Sequence, residues 1–228
     1  MLSAIILAAG QGSRLGAIVP KPLVKIGRKP AIIYSLNTLN KHPDIDEIIV
    51  VISVGNQSQI VKAIKSYSFK KIKSFVLGGR RRQDSVYNGL KKISPDSEWV
   101  LIHDSARPFI DSTSISKVIF AAKGTGAAIL AVKPKATMKL CRRNNIVAGT
   151  LDRNRLWEVQ TPQVFKKELI LAAYKKFSKT SVTDDATLVE KLGKTVKVVP
   201  GSYENIKITT GEDLLVANLI AKGFSHAI

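Results

Sequence analysis

The residues with the strongest chemical promise stand at the start of the chain. Ser3-Ala4-Ile5-Ile6-Leu7-Ala8-Ala9 is an apolar run without charge, followed by Gly10-Gln11-Gly12-Ser13-Arg14-Leu15-Gly16 and then Pro20-Lys21-Pro22. A buried strand that opens into a glycine-rich, basic loop is suited to hold a phosphate chain. Glycine lets backbone N–H groups approach closely and reach φ > 0. Arg14 adds a planar fork of donors and Lys21 a point charge. Two better-known loops do not fit. A Walker A loop requires Gly-Lys-Ser/Thr at its end, and none of Gly10, Gly12 and Gly16 precedes that pair. A dinucleotide fingerprint requires glycine at position 15, which is Leu15. The remaining readings are a nucleoside-triphosphate loop of another kind and an ordinary strand-to-helix turn.

Other candidates lie far along the chain. In His103-Asp104-Ser105-Ala106-Arg107-Pro108, Asp104 ends an apolar stretch. A carboxylate there could hold a magnesium ion that bridges phosphates, or cap a turn. Arg107 could grip a phosphate bidentately or form a surface ion pair. Asn205-Ile206-Lys207-Ile208-Thr209 puts Asn205, Lys207 and Thr209 on one face of an extended segment. A lysine opposite the first loop would neutralise charge growing on a phosphorus under attack; one on a solvated edge would do nothing. Ser85, opening the helix after Gly78-Gly79, is a cap or a ligand contact. Thr183-Asp184-Asp185 reads as a capping signature and no more. No Ser-His-Asp or Cys-His arrangement competes for a nucleophilic role.

The elements that must position these residues alternate. Strands are expected at Ala4–Ala9, Glu47–Ser53, Lys73–Leu77, Trp99–His103 and Gly126–Val132. Helices are expected between them at Pro30–Asn40, Gln57–Tyr67, Asp84–Lys92 and Ser112–Lys123. Near-continuous apolar strands alternating with helices argue for a parallel sheet covered on both faces. Ligands of such sheets bind beyond the carboxyl ends of the strands, where the candidate loops fall. From Lys133 the pattern changes. Ala136–Cys141 and Ile146–Leu151 read as a hairpin with little apolar bulk of its own, which must pack elsewhere, on a second subunit for instance. The chain then returns through Gln160-Thr161-Pro162-Gln163. Helices are expected at Lys166–Phe177, from about Asp184, and at Glu212–Lys222, with a strand at Thr195–Pro200. With no repeat or low-complexity linker, residues 1–228 read as one domain with an inserted arm at about 134–157.

Composition narrows the class. At 228 residues, with 45% hydrophobic and 23% charged residues, the chain has an ordinary globular balance. No apolar run is long enough to span a bilayer, and because Met1 leads straight into the first strand no signal or transit peptide is expected. Cys141 as the sole cysteine excludes an internal disulfide, so a cytoplasmic location is expected. His42, His103 and His226 lack metal-ligand spacing. The net charge of +19 suggests an anionic partner. The lysines are dispersed without interleaved aromatics, which argues against a nucleic-acid surface. Arg80-Arg81-Arg82 is the densest cluster.

Together these residues resemble the 2-C-methyl-D-erythritol 4-phosphate cytidylyltransferases over nearly the whole chain. The resemblance rests on Leu7–Arg14 with Pro20-Lys21, Gly78-Gly79 with Gln83–Val86, His103–Pro108, Leu151–Asn154, Leu156-Trp157, Thr161–Gln163, Thr183–Asp185 and Asn205–Lys207. It implies an α/β, Rossmann-like nucleotidyltransferase fold: a mostly parallel twisted sheet, helices on both faces and a protruding β-hairpin arm. It implies that CTP and the methylerythritol phosphate give the cytidine diphosphate derivative and pyrophosphate, with Mg²⁺ or another divalent cation, in a homodimer joined through the arm. Carried over by position, Arg14, Lys21 and Lys207 are catalytic. Ala8, Ala9, Gly10, Gly12, Ser13, Gly79, Ser85 and Asp104 bind the nucleotide, and Asp104 also the metal. Arg107 binds the second substrate, with Thr137 and Arg153 offered from the partner's arm. A ribitol 5-phosphate cytidylyltransferase is the nearest alternative, and a basic nucleic-acid-binding protein the alternative of another class. The central expectation is that Arg14, Lys21 and Lys207 converge with Asp104 on one triphosphate.

Overall fold

The computed structural model describes residues 1–10 and 19–224. Strand β1 (Leu2–Ala8) is followed by a small hairpin, β2 (Lys25–Ile26) and β3 (Lys29–Pro30), and by helix α1 (Ala31–Lys41). The alternation continues through β4 (Glu47–Ile52), α2 (Gln57–Lys65), β5 (Ile72–Leu77), α3 (Arg82–Leu90), β6 (Trp99–Asp104), α4 (Ser112–Thr125) and β7 (Ala127–Val132). Then come β8 (Lys139–Cys141), β9 (Val147–Thr150), β10 (Glu158–Lys166), α5 (Lys167–Lys176), α6 (Ala186–Lys191), β11 (Lys197–Pro200) and α7 (Gly211–Phe224).

One sheet of seven strands runs in the order β11-β7-β10-β6-β1-β4-β5. All neighbours are parallel except β10, which is antiparallel to both β6 and β7. Strands β1, β4 and β7 are buried along their whole length and almost wholly apolar because both faces are covered. The two-residue period of β1 divides its side chains between two cores. Leu2, Ala4, Ile6 and Ala8 pack with Ile32, Leu36, Ile60 and Ile115 of α1, α2 and α4. Ile5 and Leu7 pack with Val86, Ile170 and Leu188 of α3, α5 and α6. A smaller third core joins Ile26, Phe109 and Ile208 to Ala217 of α7.

Local chemistry sets the element boundaries. The Asp111 carboxylate accepts from the Ser114 N–H at 2.7 Å and starts α4. Gly126 ends it at φ +85°, where an L side chain is strained. Helix α3 starts at Arg82, two residues ahead of the expected Asp84, because the Asp84 carboxylate reaches back to the Arg81 N–H at 3.0 Å. The arm folds as expected, though its strands are shorter. Its turn puts Asn144 and Asn145 at φ 69° and 61°, a region asparagine tolerates.

The sequence gives no sign of β10. Pro162 donates no ladder hydrogen bond and argues against a central strand. The structure accommodates it through a break in register between Val159 and Gln163 in the β7 pairing. Residues 160–162 leave that ladder there, so no N–H is required of Pro162. Residues 205–209, read from the sequence as an extended segment, form neither helix nor strand.

Candidate active site

Three strand ends build one cleft. Leu7 of β1 stands opposite Asp104 of β6 in register. The Ser105 N–H and hydroxyl both donate to the Leu7 carbonyl, at 3.0 and 2.7 Å, tying the two loops together. At the end of β5, the Ser85 hydroxyl accepts from the Gly79 N–H at 3.1 Å and donates to the Arg81 carbonyl at 3.2 Å. Ser85 therefore sits inside the first turn of α3 and anchors the glycine turn; it does not open the helix. A Cβ on Gly78 would lie 2.6 Å from the Ala9 Cβ, so only glycine lets these loops close up.

The resulting cleft of about 580 Å³ is lined by Ala9, Gly10, Lys21, Gly79, Ser85, Asp104 and Lys207 among others. Lys21, Asp104 and Lys207, far apart in sequence, thus line one cleft. Among the described residues its charged lining is one-sided, with Lys21, Arg80, Arg81, Arg82 and Lys207 around the single carboxylate of Asp104. Among the described residues expected to hold the nucleotide, Ala8 does not line the cleft: its side chain is buried in the core. Gly12, Ser13 and Arg14 lie outside the described residues.

Lys207 is held in place from both sides. The Asn205 amide donates to the Thr161 carbonyl at 2.9 Å. The Ile208 N–H donates to the Ala106 carbonyl at 2.9 Å, and Asp213 accepts from the N–H groups of Thr209 and Thr210 at 2.7 and 2.9 Å. The Lys207 ammonium lies 2.6 Å from Asp104 Oδ2. On the other side, Arg82 Nε donates to Asp104 Oδ1 at 3.1 Å. Burial alone would raise the Asp104 pKa. The Arg82 and Lys207 charges outweigh it and hold the carboxyl well below the usual range.

Asp185 exceeds the capping role read from the sequence. It is fully buried, accepts from Arg82 at 2.8 Å and from the Tyr174 hydroxyl at 2.5 Å. The Arg82 guanidinium consequently spans two carboxylates, and its only sequence signal is membership of the arginine cluster. Asp184 does cap, accepting from the Thr187 N–H at 3.1 Å.

A second cavity of about 380 Å³ adjoins the first and includes Arg107, Thr161, Gln163 and Thr187. Arg82, Asp104 and Lys207 line both. The Arg107 guanidinium donates to the Asn205 and Val159 carbonyls at 2.7 and 3.2 Å, bracing the bulge of β10 against the Lys207 segment; neither bond is the surface ion pair weighed from sequence. His103 is buried between these parts. Its Nε2 faces the Arg107 carbonyl at 3.0 Å and must donate, so Nδ1 accepts from the Thr161 hydroxyl at 3.1 Å. Burial lowers its pKa to about 4. Thr137 and Arg153 stand exposed on the arm and line neither cavity, and Arg153 donates to the Lys135 carbonyl at 2.9 Å.

Gly79→Ala tests the glycine turn. The new Cβ would fall against Asp84 and 3.2 Å from its backbone carbon, displacing the start of α3. The expected cost is about 1–3 kcal/mol, read as a lowered Tm together with weaker nucleotide binding. An unchanged Tm and affinity would show that the turn tolerates a side chain.

A mostly parallel α/β sheet whose strand ends gather lysines, arginines and one aspartate around a cleft defines a nucleotidyltransferase. The chain belongs to the 2-C-methyl-D-erythritol 4-phosphate cytidylyltransferase family, whose sequence model matches residues 2–222. A relative of that name from Alkaliphilus oremlandii is 45% identical, over 96% of this chain and 94% of that protein. Another, from Desulforamulus reducens, is 46% identical over 96% and 95%. The solved 4-diphosphocytidyl-2C-methyl-D-erythritol synthase of Anaerococcus prevotii superimposes with a TM-score of 0.86 at 38% identity, covering 97% of this chain and 98% of that one.

Proposed function

We infer that this chain joins CTP to 2-C-methyl-D-erythritol 4-phosphate, giving 4-diphosphocytidyl-2-C-methyl-D-erythritol and pyrophosphate, the reaction of its family. The observation that carries the reading is the pair of adjoining cavities sharing Arg82, Asp104 and Lys207. A transfer between two substrates requires them to meet at such a boundary. A phosphate oxygen of the sugar phosphate attacks the α-phosphorus of CTP, and the bond from that phosphorus to the pyrophosphate oxygen breaks. No side chain need act as nucleophile; positioning and neutralisation of charge suffice.

The larger cleft takes the nucleotide, its base end toward Ala9, Gly79 and Ser85 and its phosphates toward Lys21. Lys207 neutralises charge on the α-phosphate during attack. Arg14 joins Lys21 on the triphosphate, with Gly10, Gly12 and Ser13 contributing loop contacts. Arg107 serves the second cavity by shaping its wall. The donor set fits a magnesium ion brought by the triphosphate. Among the described residues no three His, Cys, Asp or Glu side chains gather, so Asp104 would supply a single carboxylate and the phosphates the rest. Such an ion would withdraw charge from the phosphates.

The arm presents Leu140, Ile146 and Val147 to solvent, each more than half exposed. That surface supports a homodimer in which Thr137 and Arg153 reach the neighbour's second cavity. No helix among the described residues is long and apolar enough to cross a membrane, and we place the enzyme in the cytoplasm as a single domain with an inserted arm.

Pyrophosphate release with each of the four nucleoside triphosphates, against methylerythritol 4-phosphate and ribitol 5-phosphate, tests the reaction. Release is expected only with CTP, the methylerythritol substrate and Mg²⁺; release with ribitol phosphate instead would transfer the assignment. Arg153→Ala is expected to raise the KM for the sugar phosphate about tenfold and that for CTP less than twofold. The reverse pattern would remove Arg153 from the substrate site.

A further inference from the structure

Three consecutive arginines meet three fates. Arg80 is exposed at the cleft. Arg81 is committed to Asp84 at 2.6 Å and to the Ser178 carbonyl at 3.1 Å. Arg82 alone is drawn inward, into an alternating string of charges. The Tyr174 hydroxyl donates to Asp185, Asp185 accepts from Arg82, Arg82 donates to Asp104, and Asp104 accepts from Lys207. The anchoring end is the most secure, because the Gln163 amide oxygen also accepts from the Asp185 and Ala186 N–H groups at 3.2 Å.

The division of labour follows from valence. Arg82 uses Nε and Nη2 on Asp104 Oδ1, each at 3.1 Å, and Nη1 on Asp185 Oδ2 at 2.8 Å. A lysine has one head and cannot span both carboxylates in a fixed plane. Lys207 takes Asp104 Oδ2 and is the more exposed partner, with 40% of its side chain open against 27% for Arg82. Drawing Lys207 onto a phosphate removes one of the two described cations hydrogen-bonded to a buried carboxylate. Stranding a buried charge is strongly unfavourable. With Arg82 in place, Asp104 keeps a counterion and its orientation when Lys207 changes partners.

We propose that Arg82 is a positioning residue of the transfer: anchored by Asp185 and Tyr174, it fixes the Asp104 carboxylate at the boundary of the two substrate cavities and thereby frees Lys207 to engage the reacting phosphate. Arg82 acts through Asp104 and Lys207 and needs no contact with either substrate. The inference rests on the two-substrate reading given above.

The test compares Arg82→Ala, Arg82→Lys, Asp185→Asn and the double variant Arg82→Ala/Asp185→Asn with the parent. Circular dichroism and thermal melts establish the folded fraction. Calorimetric titration with CTP and Mg²⁺, without sugar phosphate, gives Kd, and steady-state pyrophosphate release gives kcat and KM. For Arg82→Ala, kcat per folded enzyme is expected to fall at least thirtyfold while the Kd for CTP changes less than threefold. Arg82→Lys restores part of the turnover. Asp185→Asn lowers kcat about tenfold in the parent but less than twofold in the Arg82→Ala background, because Asp185 reaches Asp104 only through Arg82. If the alanine variant does not fold, the same string requires Asp185→Asn to lower kcat at unchanged CTP affinity and Arg82→Lys to keep partial turnover. Losses that multiply in the double variant, or that merely track the Tm, would overturn the proposal. A parent protein that binds CTP yet transfers nothing to the sugar phosphate would refute the two-substrate reading itself.

Discussion

Lys207→Ala is expected to lower turnover at least a hundredfold, a loss of about 2.7 kcal/mol or more of transition-state stabilisation. The Lys207 segment is anchored by Asn205, Ile208 and Asp213, so its ammonium is already directed at the cleft before substrate arrives. A cation held beside the place where charge develops has only to exchange Asp104 for phosphate, which is why single donors of this kind are worth so much. The affinity for CTP should change far less, because the triphosphate keeps Lys21. Lys21→Ala should depress turnover too, with a larger share of its effect in nucleotide affinity. Steady-state pyrophosphate release with calorimetric CTP binding separates the two. Turnover within about threefold of the parent, less than ~1 kcal/mol of barrier, would deny Lys207 the role.

Acid should destabilise the fold through His103. Its folded pKa of about 4 lies below the usual 6.5 because burial disfavours the imidazolium. Between those values the unfolded chain binds a proton that the folded chain refuses. The stabilisation is therefore fully present above pH 6.5 and is lost as pH falls toward 4. The whole shift corresponds to about 3 kcal/mol. Burial also lowers the pKa of His42, so the parent carries more than one contribution of this sign. The quantity to compare is the difference between the parent and His103→Gln, from denaturant unfolding at pH 7 and pH 5. The parent should lose about 2 kcal/mol more than the variant over that interval. Equal losses would mean that His103 does not carry the effect. Loss of this imidazole also loosens the Thr161 hydroxyl, which accepts from the Asp104 N–H at 3.0 Å, so turnover should fall with stability.

Much of the site was legible because its residues stand where type and position agree. Asp104 closes an apolar strand, Lys21 follows a glycine loop, and Lys207 lies in an extended piece between turn signals. A charged residue at such a boundary has few structural reasons to be there. Arg82 was not legible, since a run of three arginines carries no mark of which one folds inward. Asp185 was hidden behind a capping pattern that Asp184 satisfies alone. Strand β10 was hidden by Pro162 and by polar residues that serve as ties: Gln160 to the Ser202 carbonyl, Thr161 to His103, and Gln163 to Asp184. Long-range partners of this kind have no local signature, because nothing in a side chain's own neighbourhood in sequence specifies what it will meet.

The place of β10 in the sheet constrains the order of assembly. During synthesis β6 and β7 emerge before β10, yet they do not pair with each other; the strand that joins them arrives later and enters backwards between them. Until it does, β6 has one unmatched border and β7 two, since β11 follows later still; such exposed hydrogen-bonding edges invite mispairing. A chain cut before residue 158 should hence bind chaperones or aggregate more readily than one cut after residue 166, as measured by the soluble fraction of each.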